Sequence, residues 1–199
     1  HRLRHNEFAA FEGVRWLGTS IASLSALQSA LIVGSNLRKD HPLFAARIRV
    51  ATRHGAAVTA LTSPALLRQP DAWAMPLAAT ALGEPGQWPQ LLADVAAAVA
   101  AAKGAAAPAP GTASDAAQAI AQTLLAGERK AILLGNAAAQ HPAASSLLAL
   151  AQWIGEQTGA SVGYLSEAAN TVGAQLAQAQ PGAGGLNARQ MLAGCLKAA

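Results

Sequence analysis

Apolar and polar positions along this chain fall into one pattern used twice. The run Ala30-Leu31-Ile32-Val33 is short, apolar on both faces and bounded by Gly34-Ser35-Asn36, which predicts a buried strand followed by a turn. Pro42 then stands where a helix begins, because a first-turn residue needs no N–H. Leu43, Phe44, Ile48 and Val50 recur among arginines, so residues 43–53 read as an amphipathic helix with Gly55 as a left-handed cap. Residues 57–61 form a second apolar run. The pattern returns at Ala131-Ile132-Leu133-Leu134, with Gly135-Asn136 as the turn and His141-Pro142 at the helix start. Residues 143–158 are the helix, Gly159 its cap and 161–165 the next strand. Asn36, His41 and Pro42 lie 100 positions before Asn136, His141 and Pro142, a spacing that argues for duplicated architecture.

Buried strand, helix, buried strand implies parallel pairing through a right-handed crossover. The expected fold is therefore α/β, in two Rossmann-like lobes with parallel sheets. The first lobe spans residues 1–103, with 1–13 irregular, and the second spans 115–199. A short helix is expected over 21–28 after Ser20, an alanine-rich helix over 91–102, and a helix over Asp115–Leu125 capped by Ser114. Residues 64–88 read as loop and short elements, broken by Pro64, Pro70, Pro76 and Pro85. Residues 104–114, rich in Ala and Pro, have no pattern that buries a core. They read as a flexible linker that a protease would cut first.

Composition narrows this picture. With 52% hydrophobic and 12% charged residues, disorder throughout is excluded. More than a quarter of the residues are alanine, so core volume must come from the Leu, Ile and Val runs. Charge is uneven: residues 1–54 hold eight Lys/Arg against Glu7, Glu12 and Asp40, net +5, while the remainder is net −1. A basic end can meet nucleic acid, an anionic cofactor or an acidic protein surface, or be a solvated face. Uncharged stretches at 16–37 and 131–155 reach membrane-spanning length, but polar residues and His141-Pro142 break them into strand plus helix. No direct membrane insertion is expected. The chain begins at His1 without a signal pattern and reads as a soluble piece of a longer polypeptide.

Candidate chemistry is sparse. Each unit places a Gly-Asn turn after a strand and before a helix, where parallel α/β sheets bind anions. Gly34 and Gly135 would let backbone approach a phosphate, and Arg38-Lys39-Asp40 is a charged loop well placed for one. Neither turn has the G-x-G-x-x-G of dinucleotide folds or a P-loop lysine, which favours a structural turn over a phosphate site. His41 and His141 lack carboxylates at ligand spacing, which favours capping or packing over metal. Cys195 is the only cysteine, which leaves no internal disulfide and no Cys-ligated cluster, and it reads as a buried thiol. No catalytic constellation can be assembled.

These same segments carry a resemblance. Leu31 to Leu43 with Arg47-Ile48-Arg49 and His54-Gly55-Ala56, then Ala131 to Asn136, Gln140-His141-Pro142, Gly159-Ala160 and the stretch from Ser166 to Gly173 resemble the large iron–sulfur subunit of bacterial NADH:quinone oxidoreductase, respiratory complex I. Asp71 to Pro76, Gly185 to Ala188 and Met191-Leu192 are similar as well, so the resemblance covers most of 14–193 apart from the linker. That subunit resembles the molybdopterin oxidoreductases here, whose pterin-guanine cofactor runs along the matching Gly34, Ser35, Asn36, Gln140, His141 and Asn170. The resemblance departs at Leu61-Thr62-Ser63-Pro64, where an Asp-Pro-Arg-like step would supply the carboxylate that reads guanine.

The resemblance thus implies a retained fold with a vestigial cofactor site and no metal, cofactor or catalytic residue in this stretch. Iron–sulfur clusters would belong to an N-terminal part outside it. The implied partners are other peripheral-arm subunits, with no nucleic acid, on the cytoplasmic side of the bacterial inner membrane. Two alternatives stand beside it: a working molybdopterin-guanine dinucleotide module of an oxidoreductase, and a nucleic-acid binder using the basic first quarter. The latter lacks interleaved aromatics beyond Phe44.

Overall fold

Alternate residues of a strand face opposite ways, and here both sets are apolar, so each strand needs cover on two sides. The computed structural model provides it, describing residues 16–68, 73–166, 168, 170–179, 182, 184–186, 190–192 and 194. After a 3-10 turn at Ala22–Ala26 come β1 (Ser29–Val33), the one-turn α1 (Leu37–Asp40), α2 (Pro42–Arg53), β2 (Ala57–Thr62) and the one-turn α3 (Pro64–Leu67). Then follow β3 (Ala79–Leu82), α4 (Trp88–Lys103), α5 (Asp115–Leu125), β4 (Lys130–Leu134), the one-turn α6 (Asn136–Ala139), α7 (Ala144–Thr158), β5 (Ser161–Tyr164) and α8 (Thr171–Leu176). No helix among the described residues is long and apolar enough to cross a membrane.

The strands form a sheet in the order β3-β2-β1-β4-β5, with every neighbouring pair parallel. Leu31 and Val33 of β1 and Ile132 and Leu134 of β4 join one core with α4, α5 and α7. Their alternates Ala30, Ile32, Ala131 and Leu133 join the other, with Ile48 of α2 and Leu24 of the 3-10 turn. Crossovers therefore run over both faces, as right-handed winding requires when strands are added on both sides of β1.

The α/β class and the parallel pairing agree with the sequence reading. The division into two lobes, each with its own sheet, is corrected: β1 and β4 pair directly, Leu31 beside Ile132, so both units share one sheet. Burial explains this. All five residues of β1 are buried, which a strand at the open edge of a two-stranded sheet could not achieve. A further difference is β3, four alanine-rich residues set between prolines, whose strand conformation comes from pairing with β2.

Residues 104–114 have neither helix nor strand, as expected of a linker, yet they are tied to α4. The Thr112 amide donates to Asp94 Oδ1 at 2.8 Å, and Gln90 Nε2 donates to the Pro110 carbonyl at 3.2 Å. Gly111 lies so close that a Cβ there would sit 2.5 Å from the Ala93 carbonyl oxygen. The irregular segment expected at 1–13 and the buried thiol expected at Cys195 lie outside the described residues. So do Asp71, Glu167 and Asn187 among the positions carrying the resemblance.

Candidate functional site

The chain winds from β1 outward through β2 to β3, then returns to β4 beside β1 and winds the other way to β5. The carboxyl ends of β1 and β4 therefore flank a topological switch point, the place where open α/β sheets bind ligands. Both Gly-Asn turns sit there, brought together by the register Val33 beside Leu134. Their 100-residue spacing is thus the mark of a juxtaposition as well as of repeated architecture.

The turns close on each other. The Gly135 amide donates to the Val33 carbonyl at 2.8 Å, and the Ala137 and Ala138 amides donate to the Gly34 carbonyl at 3.0 and 3.3 Å. The Ala137 and Ala138 N–H groups of α6, which could have met an anion, are thus taken by protein. A Cβ on Gly135 would collide with Ser35 Cβ and lie 2.6 Å from the Gly34 oxygen. Gly34 itself has φ +58°, and a Cβ there would meet Trp88 Cζ3 at 2.6 Å and the Ala138 nitrogen at 2.8 Å. Both glycines are required by close approach, and Gly34 by its left-handed backbone too.

Trp88 is the large side chain over this junction. It is buried, donates from Nε1 to the Gly83 carbonyl at 3.1 Å and stacks on the His141 ring at 6.0 Å between centroids. His141 is locked in turn. Its Nδ1 accepts from the Ala143 amide at 2.9 Å, so the proton sits on Nε2 and is donated to the Pro85 carbonyl, also at 2.9 Å. His141 therefore fastens the start of α7 to the loop before α4, the capping and packing role weighed against metal binding from the sequence. Among the described residues no group of three or more His, Cys, Asp or Glu is placed to hold a metal ion.

A second feature is polar atoms buried without a protein hydrogen bond. Ser35 Oγ, His41 Nε2, Thr62 Oγ1 and Asn136 Oδ1 are of this kind, all at the carboxyl end of the sheet or in the turns beyond it. His41 is 6% exposed and stacks on Phe44 at 5.8 Å. Burial holds its pKa below the ordinary 6.5, opposed by the nearby Asp40 charge and by the Asn136 side chain that faces it. Asn136 and His41 are close enough to interact, yet His41 Nε2 and Asn136 Oδ1 do not form a hydrogen bond of good geometry. No protein-family model matches this chain, and no curated protein matches it either.

Of the six residues named from the sequence, Gly34, Ser35 and Asn36 follow β1 and His141 packs beside them through Trp88. Gln140 is exposed at the end of α6. Asn170 is exposed at the N-cap of α8, with its amide lying over Gly173. Where a guanine-reading acid would stand, Thr62 is buried and Ser63 Oγ is engaged as the cap of α3, accepting from the Leu66 amide at 3.3 Å. Trp88 was not singled out from sequence. A tryptophan after Gly83-Glu84-Pro85 at a helix start was the available signal for it.

Proposed function

We propose that this chain is a structural, non-catalytic region of the peripheral-arm iron–sulfur subunit of an NADH:quinone oxidoreductase, on the cytoplasmic side of a bacterial inner membrane. Electron transfer from NADH to quinone belongs to the whole complex, and this region buttresses the arm and meets neighbouring subunits. The resemblance of the Gly34 to His41 and Gly135 to Pro142 segments supports the family. One observation carries the non-catalytic part: the switch-point crevice is filled by the chain's own atoms, with the Gly34 carbonyl on the α6 amides and Trp88 against Gly34. The absent acid after Leu61 points the same way, since a charged hydrogen bond to a base edge contributes about 1.5–3 kcal/mol.

Two measurements test this. A tagged chain should co-migrate with NADH dehydrogenase activity on native gels of solubilised membranes; migration apart from that activity overturns the family. Calorimetric titration with GDP and with pterin-guanine dinucleotide should give only weak, salt-sensitive heats through Arg38 and Lys39. A low-micromolar Kd, weakened by Asn36→Ala or Asn170→Ala, overturns the vestigial site.

A second reading, a working pterin-guanine dinucleotide module, is favoured by a different observation. Ser35 Oγ and Thr62 Oγ1 are buried without a protein hydrogen bond, and buried polar groups in folded proteins are nearly always satisfied. The same titration separates the two readings.

A further inference from the structure

α2 has one face fully accounted for and one that is not. Ala45, Ile48 and Ala51 pack inward against the sheet. On the opposite side Leu43 is 77% exposed and Val50 40% exposed. Seven residues is two turns, so these side chains stand on nearly the same line, about 20° apart around the axis, with exposed Ala46 between them. Arg47 lies on one flank of that line, and Arg49 and Arg53 on the other. The helix carries no Asp or Glu. Arg47 reaches Ser25 Oγ at 3.5 Å, whereas among the described residues the Arg49 and Arg53 side chains have no ion-pair partner.

An aliphatic line flanked by uncompensated cations is the complement of one particular surface. From this geometry we infer that α2 is a docking face for an amphipathic helix of a partner protein whose apolar stripe is flanked by Glu or Asp. The apolar line supplies burial, and the arginines supply orientation and selectivity against cationic partners. Nucleic acid fits less well: Leu43 would lie against phosphates, and the one aromatic of α2, Phe44, is turned onto His41 and unavailable for stacking. A lipid surface also fits less well, because helices that lie in a headgroup interface carry an aromatic on the apolar face, and the one aromatic of α2, Phe44, is turned onto His41. The inference is independent of the identity proposed above.

The test uses the whole chain and three synthetic helical peptides of about sixteen residues that share a leucine stripe and carry flanking Glu, Gln or Lys. A short DNA duplex and phosphatidylserine vesicles serve as competing probes. The Glu peptide should bind at least about ten-fold more tightly than the Gln peptide at low salt. It should also slow amide exchange across Pro42–Arg53. Leu43→Ser/Val50→Ser should abolish binding, and Arg49→Glu/Arg53→Glu should transfer the preference to the Lys peptide. All four positions are exposed, and circular dichroism checks that each variant keeps the fold. Equal binding of the Glu peptide to the charge-reversed variant, protection elsewhere, tighter binding of duplex or vesicles, or no binding at all overturns the inference.

Discussion

Replacing Gly34 by alanine probes the closed switch point directly. The new Cβ has two separable costs. A left-handed backbone, φ +58°, disfavours an L side chain by about 1–2 kcal/mol. The methyl would also press on Trp88 Cζ3 at 2.6 Å and on the Ala138 nitrogen at 2.8 Å, and overpacking of this kind costs about 1–3 kcal/mol. Gly104 supplies the control, because it caps α4 at φ +66° with nothing within 4 Å of an added Cβ. Gly104→Ala carries the backbone term alone, reduced by about 0.4–1 kcal/mol through loss of unfolded-state freedom.

Gly34→Ala should therefore be less stable than Gly104→Ala by about 1–3 kcal/mol in urea unfolding. At this chain length that corresponds to about 2–12 °C in Tm. Equal destabilisation would mean that Trp88 and α6 do not crowd Gly34 in solution. The crevice would then be open to a ligand, and the vestigial reading would lose its main support.

Three further outcomes follow from single contacts. His41 has its pKa held below 6.5 by burial, so the unfolded chain binds the proton more readily. Stability should fall as pH drops below about 6.5 and level off under the folded pKa, and unfolding curves of His41→Gln should lose that component; an unchanged pH profile contradicts the burial. Asp94→Ala removes the acceptor for Thr112, and limited proteolysis should then cut within 105–113 several times faster; an unchanged rate means the carboxylate does not hold the loop. His141→Ala breaks bonds to Pro85 and Ala143 and the stack on Trp88, for an expected loss of about 2–3 kcal/mol; a loss under about 1 kcal/mol would show the locked tautomer to be unimportant.

What the sequence made legible was local. Runs such as Leu31-Ile32-Val33 and Ile132-Leu133-Leu134 announce buried strands by themselves, and Ser114, which accepts from the Ala117 amide at 3.3 Å, announces a helix start. Gly55 and Gly159, at φ +91° and +75°, are legible as left-handed caps for the same reason. Partner choice is not local. An apolar run signals that it needs neighbours without saying which, so the pairing of β1 with β4 across a hundred residues was invisible, and two lobes were the natural reading. β3 was invisible because Ala79-Thr80-Ala81 has too little side-chain bulk to stand out in an alanine-rich chain. Gly34, Ser35, Asn36 and His141 could be placed beside strand-to-helix turns because such turns are recognisable, whereas Trp88 reaches the junction only through the chain's return over the sheet.

Ser35 offers the sharpest separation between a relic and a working site. Its hydroxyl is 1% exposed and Oγ has no protein partner, while its Cβ packs where Gly135 has no side chain. Ser35→Ala keeps that Cβ and removes only the oxygen. A desolvated hydroxyl without a partner costs about 1–3 kcal/mol, so in a vestigial site the substitution should stabilise the fold, or at least leave it unchanged. In a site that gives the hydroxyl a hydrogen bond, through ordered water or a bound polar ligand, removing the oxygen forfeits about 0.5–1.5 kcal/mol instead. The sign therefore decides where the size need not. Urea midpoints of wild type and Ser35→Ala, measured in parallel with the m-value checked for constancy, give that sign. A stabilised variant supports the relic. A variant destabilised by about 1 kcal/mol or more would show the hydroxyl satisfied in the folded protein. Repeating the midpoints with GDP present then separates bound water, which leaves the difference unchanged, from a ligand site, which widens it.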